Sequence, residues 1–252
     1  MTSLTEWNAS ARRSAAPVSV LDRAIALLDA VKDSEGSTTI TALAADTGMP
    51  KSTVSRLVAE LTRQRYLERT DEGVTLGLRL FELGARAVLP RRLLAAAAPV
   101  IRNLWHVTGE RVGLWVHQGT DMVSIAAVAG RLPMLSTRAG TRSPALTTAS
   151  GKAYLAFCTD PSVVDRVSAP LIQDAAADFR DELSHVRTAV VAVDREVSYP
   201  GILAVASPVL SADRHVLGAI SIAGPSGAMD PERVTPLIRS ASATVTRRLA
   251  AA

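Results

Sequence analysis

A single cysteine, Cys158, stands among 252 residues, so no internal disulfide can form and the expected compartment is the reducing cytoplasm. Long apolar runs are as scarce. Proline, glycine or charge interrupts each one, "LLAAAAPVI" at 93–101 included, so no stretch reads as a membrane-spanning helix. The opening "MTSLTEWNAS" lacks the basic cap and apolar core of a secretion signal. The four histidines, His106, His117, His185 and His215, share no metal-ligand spacing. Neither "TASGK" nor "GPSGA" completes a nucleophile elbow. Paired acid, base and nucleophile residues are missing too, so the reading is not an enzyme, with no cofactor and no metal.

What is present is ordinary for a folded chain of roughly one to two domains: 48% hydrophobic and 21% charged residues. A net charge of +4 permits a polyanionic partner without demanding one. Its distribution is more informative. Residues 1–77 carry nine bases against ten acids, yet from Lys51 to Arg69 five bases meet only Glu60 and Glu68. Positive charge is therefore local to one segment and its flank.

Residues 1–16, small and polar without a period, read as a disordered arm. From Pro17 a helical pattern follows, with Val20, Leu21, Ala24, Ile25, Leu28 and Val31 as its apolar stripe. Thr39 or Thr41 caps a short second helix, and Gly48 supplies the left-handed turn after it. In the third helix, at about 100° per residue, Val54, Leu57, Val58 and Leu61 share one arc, with Ser52, Arg56, Ala59 and Arg63 opposite. "YLERTDEGVTLG" then reads as a hairpin turning on Asp71, Glu72 and Gly73. Helix, helix, tight turn, helix and hairpin make a winged helix-turn-helix over 17–77, whose third helix fits a DNA major groove. A linker helix is expected over 78–92, with Leu78, Phe81, Leu83 and Val88 apolar. From 93 to 252 strand hairpins alternate with helices, the pattern of an antiparallel sheet covered by helices, so the fold class is α+β.

Arg56 and Arg63 lie where guanidinium groups read guanine edges or clamp phosphates; the alternative is an ordinary solvated helix face. Ser52, Thr53 and Ser55 sit where hydroxyls donate to phosphates, although Ser52 equally suits an N-terminal cap. Lys51, Arg65 and Arg69 are candidates for phosphate rather than bases. In the second half, "TTASGKAYL" raises a phosphate-loop question. It fails, because Leu146 replaces the leading glycine and Ala153 the hydroxyl residue that would hold magnesium. What remains is a helix start with Ala149, Ser150 and Gly151, either meeting a ligand with its amides or merely packing. Asp194 accepts from a ligand or holds a loop. Cys158 reads as a buried thiol, and Trp115 as core or as a stacking surface for a ligand.

"SVLDRAIALLDAV", "ITALAADTGMPKSTVSRLVAELTRQRYLER", "LGLRLFELG", "PALTTASGKAYLAF", "GILAVASPVL" and "GAISIAGP", in that order, resemble the IclR-type bacterial transcriptional regulators. The resemblance covers nearly the whole chain from Val18. It implies a winged helix-turn-helix followed by a GAF-like (profilin-like) effector and oligomerisation domain over 93–252. It also implies a double-stranded DNA operator, dimers or pairs of dimers, and control, more often repression, by a small-molecule effector such as an organic acid or aromatic catabolite. Laid on this chain, the family's effector pocket falls on Leu132, Leu135, Ala149, Ser150, Asp194, Ala204, Ser221 and Ala223. Ala204 stands where many members have Cys, Ala223 where Ser is frequent, and Val197 where an acid often follows Glu196, so a less polar pocket and a bulkier or more apolar effector are expected. Two alternatives stay open: a second domain that only oligomerises, and a small-molecule enzyme joined to a DNA-binding head.

Overall fold

The computed structural model describes residues 19–34 and 36–251; the arm expected over 1–16, with Trp7, and the helix opener Pro17 lie outside them. The chain divides into two compact units at Ala87/Val88.

The first unit holds α1 (Val20–Asp33), α2 (Ile40–Thr47), α3 (Lys51–Arg63), the antiparallel hairpin β1 (Leu67–Thr70) and β2 (Gly73–Leu76), and α4 (Leu78–Gly84). Ser19 opens α1 as a capping box: its hydroxyl accepts from the Asp22 amide at 3.0 Å and its amide donates to the Asp22 carboxylate at 3.1 Å. Thr39 caps α2, accepting from the Ala42 amide at 3.1 Å, and Gly48 ends it at φ 67°. Leu27, Val31, Leu43, Met49, Val54, Val58, Leu67 and Val74 form the core. At about 1.5–3 kcal/mol for each large side chain buried, this cluster is what seats α3. The wing is joined to the same core, because Thr38 and Val74 exchange backbone bonds at 3.0 and 2.8 Å. That approach requires glycine at 73, where a Cβ would lie 2.4 Å from the Thr38 carbonyl oxygen.

Two sequence expectations change here. The apolar stripe expected for α1 holds only in its second half: Val31 is buried and Leu28 packs on the core, with Leu27 enclosed beside them, whereas Val20 and Leu21 are each 68% exposed. A 3.6-residue period fits both faces, and only the position of α2 and α3 selects one. The helix expected over 78–92 is not continuous. It ends at Gly84, where the Ala85 amide returns to the Phe81 carbonyl, and Ala85–Ala87 is non-helical. A new helix then starts at Val88 and crosses the expected boundary at 92/93. Phe81 is 72% exposed and Leu78 63%.

The second unit holds α5 (Val88–Thr108), β3 (Arg111–Gln118), β4 (Asp121–Val128), β5 (Arg142–Pro144), α6 (Ala149–Leu155), α7 (Pro161–Ser168), α8 (Gln173–Ala189), β6 (Ala192–Arg195), β7 (Ile202–Leu210), β8 (Val216–Pro225) and α9 (Pro231–Ala250). The strands make one antiparallel sheet in the order β5-β4-β3-β8-β7-β6. Strand alternation divides its faces. Val112, Leu114, Val205, Ile220 and Ile222 pack with Leu93 and Ile101 of α5 and Ile238 and Val245 of α9. Trp115, Met122, Ala206 and Ala219 face the other way, with Ala153 and Leu155 of α6 and Phe179 and Leu183 of α8. The sequence reading did not assign β5 or α7. β5 is three residues long and carries no period, but α7 had a start signal, Asp160 as cap with Pro161 behind it.

Candidate functional site

The turn before α3 is short because Gly48 takes the left-handed conformation and Pro50, at φ −56°, directs the chain into the helix at Lys51. Met49 is buried between them. With Val54 and Val58 fully buried and Leu57 and Leu61 packed beside them, the opposite face is left to solvent: Lys51, Ser52, Ser55, Arg56 and Arg63 are exposed and Thr53 is half-buried. Ser52 is not the cap. Pro50 holds that position without a side-chain bond, so the first-turn amides have no side-chain acceptor.

The two arginines of this face differ in state. Among the described residues no hydrogen bond or ion pair engages the Arg56 guanidinium. Arg63 instead forks onto Glu60, with bonds of 3.0 and 2.5 Å, and Gln64 joins the same carboxylate at 2.9 Å. These bonds, Arg63 first, hold the Glu60 carboxyl down to about 2. Arg65 sits at φ 64°, a left-handed position that turns the chain out of α3, and its carbonyl lies against Gly77. Arg69 is exposed on β1 opposite Val74.

In the second unit the sheet register brings together residues far apart in the chain. Asp194 pairs with Ala204, Ala204 with Ala223, and Ala223 with Arg111. The next row on the same face runs Ala192, Ala206, Ser221 and Gly113. Four of the eight expected effector residues, Asp194, Ala204, Ser221 and Ala223, thus share one face within two adjacent rows. Ala149 packs in the hydrophobic cluster on this face. Ser150 is buried beside it, its hydroxyl 3.4 Å from that of Thr148. Leu132 and Leu135 lie half-buried in the 129–141 loop, joined by a turn bond of 3.2 Å.

The polar groups of this face are already engaged in part. Asp194 Oδ1 accepts from the Val197 and Ser198 amides at 2.9 and 3.3 Å, which is the loop-holding role. Trp115 Nε1 donates to Ser221 Oγ at 2.8 Å, and its indole crosses Gly113, where a Cβ would lie 2.6 Å from that nitrogen. Trp115 therefore stacks on the protein itself, with the Arg111 guanidinium 5.2 Å from its ring centre.

Two residues here escaped the sequence reading. Arg111 is 5% exposed, and burial lowers its pKa. Tyr199 lies in the loop after β6; burial raises its hydroxyl pKa, opposed by a bond to Ser143 and by the field of Arg111. A signal for Arg111 existed: in "RVGLWV" it alternates with Gly113 and Trp115, a charge on an inward face. The face is accordingly more polar than the replacements at Ala204 and Ala223 led one to expect.

The helix start at "TTASGK" packs rather than opens. α6 has only seven residues, and the Gly151 amide is bonded to Thr148 Oγ1 at 3.2 Å. Gly151 also lies against Ala145, whose carbonyl oxygen would be 2.0 Å from a Cβ. Lys152 is buried and paired with Glu182 at 2.7 Å. Cys158 lies beyond the end of α6 and is half-buried, not enclosed in a helix. A depression of about 440 Å³, lined by Val88, Leu89, Asp213, Leu217 and Leu249, sits on the α5 and α9 side. Among the described residues no cluster of His, Cys, Asp and Glu is arranged for a metal, and no helix is long and apolar enough to cross a membrane.

Residues 20–71 match the IclR helix-turn-helix domain, and residues 85–247 match the C-terminal domain of the bacterial transcriptional regulator IclR. The acetate operon repressor of Salmonella typhimurium is 28% identical over 234 residues, covering 87% of this chain and 85% of that protein. Among solved structures, an IclR-type regulator from Silicibacter is 28% identical, with a TM-score of 0.73 over 92% of this chain and 96% of that one. An IclR homologue from Microbacterium hydrocarbonoxydans, solved in complex with 4-hydroxybenzoate, superposes with a TM-score of 0.83 at 23% identity over 93% and 100% of the two chains, a likeness of fold.

Proposed function

The chain belongs to the IclR family of DNA-binding bacterial transcriptional regulators, and from that premise we propose that it is a repressor whose hold on its operator is set by a small molecule bound on the sheet face of the second unit. The observation that carries the DNA half is the condition of α3, seated by Val54 and Val58 while Lys51, Ser52, Ser55 and Arg56 remain exposed. Arg56, with no internal partner among the described residues, is the leading base contact. Arg63 joins when phosphate or guanine replaces Glu60 on its fork. Thr53 and the serines add hydroxyls near the helix start, and Lys51, Arg65 and Arg69 supply phosphate contacts that position without specifying sequence.

The ligand half rests on the two rows through Asp194, Ala204, Ala223 and Ser221, bordered by Ala149 and Ser150 and by the loop of Leu132 and Leu135. Alanines in the centre of a sheet face leave room that larger side chains would fill. The relative solved with 4-hydroxybenzoate supports an aromatic acid as the kind of molecule to try first. A ligand changes operator affinity only by its difference in affinity for the DNA-competent and DNA-incompetent arrangements. Two copies of α3 spaced one DNA turn apart, in a homodimer or a pair of dimers in the cytoplasm, complete the reading. The acetate operon repressor of Salmonella typhimurium supports repression as the sign of control, and no turnover is assigned to this chain.

The test begins with operator fragments selected from genomic DNA. Fluorescence anisotropy at one fixed salt concentration then compares specific with random duplex. A protein that holds both equally, with or without 4-hydroxybenzoate, is not this regulator.

A further inference from the structure

We infer that Arg111 is the anion-recognition residue of the ligand site, that the ligand it takes is a carboxylate, and that the carboxylate displaces the Ser136 carbonyl from the Arg111 fork. The inference rests on the reading of the sheet face as a site for an organic acid and adds to it the side chain that recognises the acid and the contact the acid displaces.

The first ground is a buried charge without a counter-charge. Arg111 is 5% exposed, and among the described residues no carboxylate lies within ion-pair distance of it. Glu110, its neighbour in the chain, is turned to the other face, where it pairs with Arg131 and lies against Gly224. Asp194, in the same row, is three strands away, about 14 Å between Cα atoms at the usual strand spacing. Its Oδ1 is held by backbone amides. Burying a guanidinium without a counter-charge is costly, and a sheet interior gains nothing from it that an apolar side chain would not supply better.

The second ground is the geometry of the fork. Nε and Nη2 both donate to one neutral oxygen, the Ser136 carbonyl, at 3.1 and 2.8 Å. Two parallel N–H bonds of an arginine match the two oxygens of a carboxylate, and here they converge on a single acceptor of lower charge. A carboxylate replaces that acceptor with two charge-assisted bonds, releasing the Ser136 segment of the 129–141 loop.

The surroundings fit a carboxylate with an apolar body. The Trp115 ring flanks the guanidinium, Ala223 and Ala204 continue the floor, and Tyr199 lies close enough for Arg111 and Asp194 both to act on its hydroxyl. Burial also lowers the Arg111 pKa, opposed by the field of Tyr199.

The experiment uses acid and amide pairs of the same shape, benzoate with benzamide, 4-hydroxybenzoate with 4-hydroxybenzamide and 3-phenylpropionate with its amide, on the full chain at neutral pH. Thermal shift and calorimetry are measured for wild type, Arg111→Met and Arg111→Lys. At least one acid is expected to raise the wild-type Tm while its amide does not. That acid binds Arg111→Met roughly 10- to 100-fold more weakly, and Arg111→Lys falls between. Without ligand, Arg111→Met is expected to melt no lower than wild type. Equal stabilisation by acid and amide, or an acid gain that survives in Arg111→Met, overturns the inference and leaves the ligand site standing. An unliganded Arg111→Met that melts well below wild type while Arg111→Lys keeps no acid preference makes the guanidinium structural and also overturns it. If no member of any pair shifts wild type, the ligand site falls with it.

Discussion

Arg56 and Arg63 lie on one exposed face, yet their states in the free protein lead to different expectations. Arg56→Ala is expected to weaken operator binding by about 1–3 kcal/mol and to blunt sequence preference, whereas Arg69→Ala weakens all duplexes alike. Anisotropy titrations of specific and random DNA at one salt concentration separate the two. Glu60→Gln removes the partner that holds Arg63 and a negative charge from the same face, so it is expected to strengthen binding to any duplex and to steepen the salt dependence. His117 gives a pH dependence. It stacks on Tyr154 at 4.7 Å, its Nε2 is buried without a hydrogen-bond partner among the described residues, and burial, opposed by the field of Asp121 and aided by that of Arg166, lowers its pKa below 6.5. A base with a depressed folded pKa binds more protons when unfolded, so stability is intact above 6.5 and declines as pH falls from there toward the folded pKa. Urea midpoints for wild type should decline across that window, and His117→Phe should flatten the decline.

Local chemistry accounts for the winged unit's elements, and several of its positions allow single choices. Thr39→Ala removes the α2 cap and is expected to cost about 0.5–2 kcal/mol. Gly73→Ala is worse. The glycine is at φ 144° and a Cβ would meet the Thr38 backbone, so the wing must part from the core; urea denaturation followed by circular dichroism reads both variants. The hairpin, the α2 cap and the Gly48 turn were legible because each is written in consecutive residues. The break at Ala85–Ala87 was not. "LRLFELGARAVLPRRLL" keeps apolar residues at helical spacing straight through, which hides two local signals of the break: Gly84, the last residue of α4, and Pro90, in the first turn of α5.

Three apolar clusters, one around Leu43 and Val54 in the first unit and one on each face of the six-stranded sheet in the second, mean that a core lesion is read in its own unit. Leu43→Ala is expected to destabilise the winged unit by about 2–5 kcal/mol. Trp105 and Trp115 both lie in the second unit, so in a Trp7→Phe background the fluorescence transition should keep its midpoint while the circular-dichroism transition gains an earlier phase. A shift of both together would mean that the chain melts as one.

Helix period, caps and turn residues were enough to derive a DNA-binding head on an α+β body, because each depends on neighbours within about one or two turns of chain. They also put Arg56 opposite the apolar stripe of α3. The ligand face could not be derived that way. Its rows join Arg111, Ala223, Ala204 and Asp194 through strand register, and the family resemblance reached the last three but not the first. Whether a charge in a strand faces solvent or interior, and whether a carboxylate waits beside it, depends on which distant strand pairs with it; a period of two names the faces without saying what covers them.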